Sequence, residues 1–126
     1  MFELSPQSDG SWTETVLYAF CSLSGCADGE TPVAGPLVRD PNGNLYGTTY
    51  FGGAHRNCDG DACGAVFKLD TNGKETVLYS FTGGGDGAFP LVGLIMGPSG
   101  ALYGTAQGGG DPSCINGCGT VFKVVP

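Results

Sequence analysis

The chain repeats its own sequence, and this repetition constrains its fold more than any other feature. Three short phrases each occur twice, in the same order, with copies about 55–61 residues apart. The pairs are "TETVLYAF" at Thr13–Phe20 and "KETVLYSF" at Lys74–Phe81, "NLYGTT" at Asn44–Thr49 and "ALYGTA" at Ala101–Ala106, and "GAVFKLD" at Gly64–Asp70 and "GTVFKVV" at Gly119–Val125. A period of this length is typical of a propeller blade or a solenoid unit.

Each repeat unit is predicted to contain four short β-strands. In the complete unit these are "GPLVRD", "LYGTTYF", "AVFKLD" and "ETVLYSF", and the N-terminal "TVLYAF" is a further copy of the last one. The phrases are rich in β-branched and aromatic residues and are bounded by Gly, Pro, Asn and Asp, which favours strands over helices. Turns such as "PNGN" and "TNGK" supply the Asn-Gly pairs that tight hairpins need. We therefore predict an all-β fold of four-stranded antiparallel blades, β-propeller-like or stacked, with about two units per chain. A single β-sandwich built from two similar sheets is the alternative.

The phrases "ETVLYSF", "LIMGPSGALYGT" and "GTVFKV" resemble the GloVer tandem repeat of bacterial secreted proteins. This resemblance covers essentially the whole chain, and "LYGTTYFGG" is more loosely similar to a kelch blade. It implies an extracellular, β-propeller-like protein and supplies no catalytic residues. The chain departs from a typical member in having only about two units. Neither a signal peptide nor a C-terminal sorting tail is visible in it.

The chain contains one complete repeat unit with an incomplete unit on each side of it. We expect one repeat domain over residues 1–126, in which residues 1–31 supply two strands of a partial blade. Residues 32–82 form a complete blade, and residues 83–126 form a blade that lacks its outer strand. The opening "MFELSP" also matches "VFKLDT", so this type of strand occurs three times.

These unfinished ends predict that copies of the chain assemble head to tail. An unpaired strand edge is a template for pairing, and an uncovered apolar blade face is costly in water. The same contact closes a ring or propagates as a filament, depending on the rotation between copies. A monomer that caps its own faces with loops is the alternative. The predicted assembly residues are Phe2, Leu4, Val16, Leu17, Tyr18, Phe20, Val121, Phe122, Val124 and Val125.

The cysteines suggest an oxidising location. Six of them form three close pairs, Cys21 with Cys26, Cys58 with Cys63, and Cys114 with Cys118. The second and third pairs lie in equivalent loops of the two units, which favours disulfides within each loop. A zinc site or free thiols are the alternatives, but His55 is the only histidine and lies beside only one pair.

Charge and hydropathy limit the partners. The formal net charge is −7, so nucleic acid and anionic membrane surfaces are poor partners. No apolar segment approaches the length needed to span a bilayer, so membrane insertion is not expected. The expected partner is another copy of the chain, with a glycan as the alternative, and the expected location is extracellular or on the cell surface.

The sequence contains no recognisable catalytic constellation, so we predict neither an enzyme nor a cofactor. Asp59 and Asp61 in "CDGDAC" are weak calcium candidates, with a solvated acidic turn as the alternative. Trp12 and Tyr50–Phe51 lack aromatic counterparts in the second unit and are candidates for stacking on sugars or for packing. The predicted function is an extracellular structural or interaction protein, and the alternative is a propeller module that binds a glycan or small ligand through its loops.

Overall fold

Eleven β-strands form the regular structure in the computed structural model, which describes residues 1–33, 35–58 and 60–126. The strands are β1 (Phe2–Pro6), β2 (Trp12–Val16), β3 (Glu30–Pro32), β4 (Val38–Arg39), β5 (Leu45–Phe51), β6 (Ala65–Leu69), β7 (Glu75–Ser80), β8 (Ala88–Pro90), β9 (Ile95–Met96), β10 (Leu102–Gly108) and β11 (Thr120–Val124). A single 3-10 turn spans Ser24–Cys26, and the described part of the chain contains no α-helix. No helix in the described part is long and apolar enough to cross a membrane.

The strands form three antiparallel sheets, and none of the three closes on itself within the described residues. The N-terminal hairpin consists of β1 and β2 alone. The middle sheet has the order β3–β5–β6–β7, with β4 also paired to β5. The third sheet has the order β11–β10–β8, with β9 also paired to β10. The prediction of an all-β fold is confirmed.

The inner strand of each unit differs from the prediction. Instead of one strand at "GPLVRD", two short strands, β3 and β4, pair along the same edge of β5. Pro32 ends β3, and Pro36 precedes β4. Since proline has no N–H to donate to a ladder, the pairing is interrupted between them. The third sheet has the same break, because Pro90 ends β8 before β9 begins.

The repeated phrases adopt the same strand register. Gly47 lies opposite Phe67 in the middle sheet, and Gly104 lies opposite Phe122 in the third sheet. A Cβ atom on Gly47 would lie 2.6 Å from Cζ of Phe67, and one on Gly104 would lie 2.5 Å from Cζ of Phe122. Both of these sheets therefore need glycine at this position, because the end of an aromatic ring lies where a Cβ atom would be.

The N-terminal hairpin repeats the β6–β7 hairpin. Phe2 pairs with Val16 in the N-terminal hairpin, as Phe67 pairs with Val77 in the middle sheet. The first sheet is therefore a second copy of the outer two strands of a repeat unit.

The main core lies between the middle and third sheets. Its largest fully buried side chains include Val66 from the middle sheet, Phe81 directly after β7, and Leu102 from the third sheet. Thr48 Oγ1 also donates a hydrogen bond to the carbonyl of Val92, 3.2 Å away, across this boundary. The N-terminal hairpin, in contrast, is exposed along almost all of β1 and β2.

Candidate functional site

The outer edge of β11 is open, whereas the equivalent edge in the middle sheet is covered. β6 pairs with β5 on one side and β7 on the other, but among the described strands β11 pairs only with β10. A groove of 310 Å³ runs along the open edge and is lined by Tyr79, Gly85, Asp86 and residues Thr120 to Val124. We call it the acceptor groove. It occupies the place beside β11 that β7 occupies beside β6.

A tyrosine–aspartate pair stands beside each of these two edges. Tyr79 donates its hydroxyl to Asp86 Oδ2 at 2.9 Å, and Thr82 donates both its N–H and its hydroxyl to the same carboxylate. Tyr18 likewise donates its hydroxyl to Asp28 Oδ2 at 2.9 Å. The two pairs are equivalent because Tyr18 and Tyr79 occupy the same place in the repeated phrase.

Both aspartates are held in the ionised form. Burial by itself raises the pKa of Asp28, but hydrogen bonds from Ser22, Tyr18 and Leu23 outweigh burial and bring the pKa below its usual range. The same balance, with Thr82 and Tyr79 as donors, lowers the pKa of Asp86. The hydroxyl group of each tyrosine therefore donates its hydrogen bond to a negatively charged carboxylate, which holds the ring in position.

Aromatic side chains join each sheet to the next. The ring of Phe20 lies 4.8 Å from that of Phe67 and 5.1 Å from that of Tyr18, in edge-to-face contacts. The ring of Phe81 lies 5.0 Å from that of Phe122 and 5.3 Å from that of Tyr79, with the same geometry. We call these two sets of ring contacts the first and second aromatic joints. They are repeats of each other, and in each one the phenylalanine that ends one repeated phrase packs against a phenylalanine of the next sheet.

Glu75, at the start of β7, lies near Tyr18 and Asp28 at the first aromatic joint. Its Oε1 atom is buried and accepts no hydrogen bond from the described residues. Burial, and then the charge of Asp28, raise the pKa of Glu75 to about 7. Near neutral pH this carboxyl is therefore partly protonated at the junction between the first hairpin and the middle sheet.

We expect Glu75→Gln to raise the melting temperature at pH 8 and to leave it nearly unchanged at pH 4. The folded state holds this proton up to pH about 7, whereas the usual pKa is 4.5. Stability therefore decreases as the pH rises through this interval and stays lower above it. Because Glu75 is only half-buried, solvent screens much of the effect. Thermal melts of both proteins across this pH range measure it.

The control is Glu14→Gln, which makes the same change at the equivalent but exposed position of β2. Its effect on the melting temperature should be small at both pH values. A stabilisation by Glu75→Gln that is equal at pH 4 and pH 8 would show that ionisation of this carboxyl is not involved.

Equivalent residues of the three sheets differ in how well they are covered. Val66 is fully buried between the middle and third sheets, whereas its counterpart Val121 is 80% exposed. Phe67 is buried beside the first hairpin, whereas its counterpart Phe2 is 58% exposed. Apolar side chains therefore lie uncovered at both ends of the described structure.

We name these two surfaces by their residues. The hairpin face consists of the side chains that strand alternation places with Phe2, namely Phe2, Leu4, Trp12 and Val16. The end face consists of Ile95, Val121 and Val125 on the outer side of the third sheet. Phe122 and Val124 point the other way, into the core.

The residues predicted for assembly therefore do not form one surface: some are exposed and others are partly buried within the chain. Phe2, Leu4 and Val16 lie on the hairpin face, and Val121 and Val125 lie on the end face. Leu17, Tyr18 and Phe20 are half-buried, and Tyr18 and Phe20 belong to the first aromatic joint. Phe122 and Val124 pack partly against the core.

The strand predicted to continue to Phe20 ends at Val16. The N–H groups of Leu17 and Tyr18 both donate to the carbonyl of Met1, at 2.9 and 3.3 Å. β1 offers no described residue opposite those that follow, so the ladder stops at the pair of Val16 and Phe2.

The cysteines form three local disulfides, Cys21–Cys26, Cys58–Cys63 and Cys114–Cys118. No free cysteine occurs among the described residues, which leaves no thiolate there to ligate zinc. Each bridge closes a loop of four or five residues in sequence separation. The bridges therefore hold loops in shape and do not join one sheet to another.

The remaining candidates are Asp59, Asp61, His55 and the aromatic pair Tyr50–Phe51, which belongs to β5. Asp59 lies outside the described residues, and Asp61 is exposed, as is His55. No group of three metal-ligating side chains occurs in the described residues. Tyr50 and Phe51 pack with Phe89, and the rings of Tyr50 and Phe89 are stacked 5.0 Å apart.

A cleft of 470 Å³ opens between the glycine-rich loops of the second and third units. Asn57, Phe89 and Asn116 line it together with several glycines. Its lining thus includes two asparagines and one phenylalanine, residue types that occur in sites for neutral polar ligands.

Sequence reasoning did not single out Asp28, Asp86 or Glu75. The signal for the two aspartates was a tyrosine followed by an aspartate in both units. It is concealed because the separation is ten residues from Tyr18 to Asp28 and seven from Tyr79 to Asp86.

Comparison with known proteins identifies the repeat. Neither the curated proteins nor the solved structures contain a match to this chain. The family model described as the Gloeobacter/Verrucomicrobia repeat matches residues 1–126, over the same phrases that form the repeated strands and joints. The chain therefore belongs to the Gloeobacter/Verrucomicrobia repeat family.

Proposed function

We propose that this chain is an extracellular structural and interaction repeat protein that assembles head to tail into a ring or a filament. The observation that carries the proposal is the repetition of the joint. The contact of Phe20 with Phe67 between the first two sheets recurs as the contact of Phe81 with Phe122 between the next two. A third contact of the same kind would add a further unit to the end face.

In this proposal the three sheets are blades of a propeller-like or stacked array. Residues 1–31 supply the outer strands of one blade, residues 32–82 a complete blade, and residues 83–126 a blade without its outer strand. β3 and β4 together count as the inner strand of the middle blade, since both pair along one edge of β5. The blade is then four-stranded, as in propellers.

The driving force for assembly is the burial of apolar side chains that are exposed to water in the single chain. A blade of four strands of ordinary length and spacing has a face of about 300 Å². Covering its apolar part contributes about 5 kcal/mol. The hairpin face and the end face are different surfaces, so their contact is heterologous and generates either a closed ring or an open filament.

The three disulfides favour an oxidising, extracellular location for this assembly. The net charge of −7 opposes binding to nucleic acid or to anionic membranes. Catalysis, a cofactor and membrane insertion form no part of the proposal.

Light scattering tests the assembly directly. We expect the purified chain to have a mass that is a multiple of 12.8 kDa and increases with concentration. Negative-stain images should show rings or filaments. Leu4→Glu should reduce the mass towards that of the monomer, because it places a charge on the hairpin face without disturbing the core.

Leu91→Glu is the matched control. Leu91 is 47% exposed and Leu4 is 50% exposed, but Leu91 belongs to neither the hairpin face nor the end face. It should leave the mass unchanged. A wild-type chain that stays at 12.8 kDa at its highest soluble concentration would contradict the proposal.

Glycan binding through the loops is the second candidate function. The cleft lined by Asn57, Phe89 and Asn116 favours it, since amides and an aromatic ring are the groups that contact sugars. A monomeric chain whose melting temperature rises with a neutral oligosaccharide would support this function in place of assembly.

A further inference from the structure

We propose that the acceptor groove binds an extended strand with the sequence of β7, and that residues 13–20 of a second copy supply this strand. The inference rests on the head-to-tail assembly proposed above, and in place of direct contact between the hairpin face and the end face it assigns the contact between copies to one strand edge. The added strand would pair antiparallel to β11, along the edge that faces Tyr79 and Asp86.

The middle sheet contains the same arrangement with the strand in place. There β7 pairs along β6 from Leu69 opposite Glu75 to Ala65 opposite Ser80, with an irregularity between Val66 and Phe67. β11 carries the phrase equivalent to β6, and residues 14–18 are identical in sequence to residues 75–79. The groove and its occupant are therefore copies of two surfaces that already fit each other within this chain.

The template also fixes the register. Transferred to β11, it places Val124 opposite Glu14, Lys123 opposite Thr15, Phe122 opposite Val16, Val121 opposite Tyr18 and Thr120 opposite Ala19 of the incoming strand. In this register Glu14 of the second copy meets the Tyr79–Asp86 pair, as Glu75 meets the Tyr18–Asp28 pair. The tyrosine–aspartate pair thus lines the groove beside the incoming strand.

The second copy can supply the strand without losing its own aromatic joint. Tyr18 and Phe20 contact Asp28 and Phe67 of their own chain, and these contacts lie beyond the end of β2. Only β1 must be released, and β1 is exposed at every residue except the half-buried Ser5. β2 would therefore exchange β1 for β11 of the neighbouring copy.

The test uses the full chain and a fluorescent synthetic peptide with the sequence TETVLYAF. Anisotropy measures binding of this peptide, and a scrambled peptide of the same composition is the first control. Val121→Asp should weaken binding at least about ten-fold, because it places a charge opposite the tyrosine of the peptide and beside Asp86. Val121 is 80% exposed, so this substitution should leave the fold intact.

Ile115→Asp is the matched control, since Ile115 is 94% exposed and does not line the groove. It should bind the peptide as the wild type does. The proposal is overturned if the wild type does not bind the peptide, if the scrambled peptide binds equally well, or if the two aspartate variants are equally affected.

Light scattering in the same titration separates this inference from the assembly itself. If both are right, excess peptide lowers the mass of the assembly as it fills the groove. Peptide binding by a chain that is always monomeric would support the groove and contradict the assembly. An assembly that neither binds the peptide nor changes mass would support assembly through faces alone and contradict the groove.

Discussion

Phe81→Ala will lower the free energy of unfolding by about 3–5 kcal/mol, which is the usual range for loss of a buried phenylalanine. Phe81 is fully buried, and its ring contacts those of Tyr79 and Phe122 in the second aromatic joint. The alanine leaves a cavity between the middle and third sheets, where the main core lies. Urea denaturation should show a lower midpoint with an unchanged slope.

Phe20→Ala is the matched control for this prediction. Phe20 occupies the equivalent place in the first joint, where its ring contacts Tyr18 and Phe67, but it is only half-buried. We expect it to cost about 1–2 kcal/mol, because less apolar surface returns to water. If the two substitutions cost the same, the difference in burial between the joints does not determine their stability.

The repeated parts of this structure could be predicted from the sequence because they are local. The hairpin turn after β6 depends on Asp70, which accepts hydrogen bonds from the N–H groups of Asn72 and Lys74, and on Gly73 at positive φ. Such a turn is specified by a few adjacent residues. Equivalent phrases therefore adopt equivalent registers in all three sheets.

The interrupted inner strand could have been predicted only in part. Pro32 and Pro36 indicate that pairing is broken near "GPLVRD", but they do not show that β3 forms on the other side of the break. β3 exists because Glu30 and Pro32 lie opposite Phe51 and Thr49 at the far end of β5. This pairing depends on the length of β5 and not on the sequence of β3.

The tyrosine–aspartate pairs are tertiary features that follow a change of loop length. Ser22 and Asp28 are six positions apart in the first unit, in the loop that carries the Cys21–Cys26 bridge, whereas Thr82 and Asp86 are only four positions apart in the second. Sequence alignment of the loops therefore fails, although the carboxylates occupy equivalent places. Each aspartate comes within hydrogen-bond distance of its tyrosine only when the backbone is folded.

Asp28→Ala will lower the free energy of unfolding by about 3–5 kcal/mol. Asp28 is fully buried and accepts hydrogen bonds from Tyr18 Oη at 2.9 Å, from Ser22 N at 2.9 Å, from Ser22 Oγ at 2.8 Å and from Leu23 N at 3.2 Å. Removing the carboxylate takes this acceptor from two backbone N–H groups, the Ser22 hydroxyl and the tyrosine, and each hydrogen bond to a charged group contributes about 1.5–3 kcal/mol. Urea denaturation measures the change in midpoint.

Two further variants identify the cause of this loss. Asp86→Ala removes the equivalent carboxylate at a half-buried site, where water can replace it, so we expect about half the effect. Asp28→Asn keeps one acceptor oxygen and removes the charge that raises the pKa of Glu75. Its loss should therefore be smaller than that of Asp28→Ala, which removes the same charge together with both acceptor oxygens. An Asp28→Asn variant as unstable as Asp28→Ala at every pH would show that the negative charge itself, and not the number of hydrogen bonds, holds the first joint together.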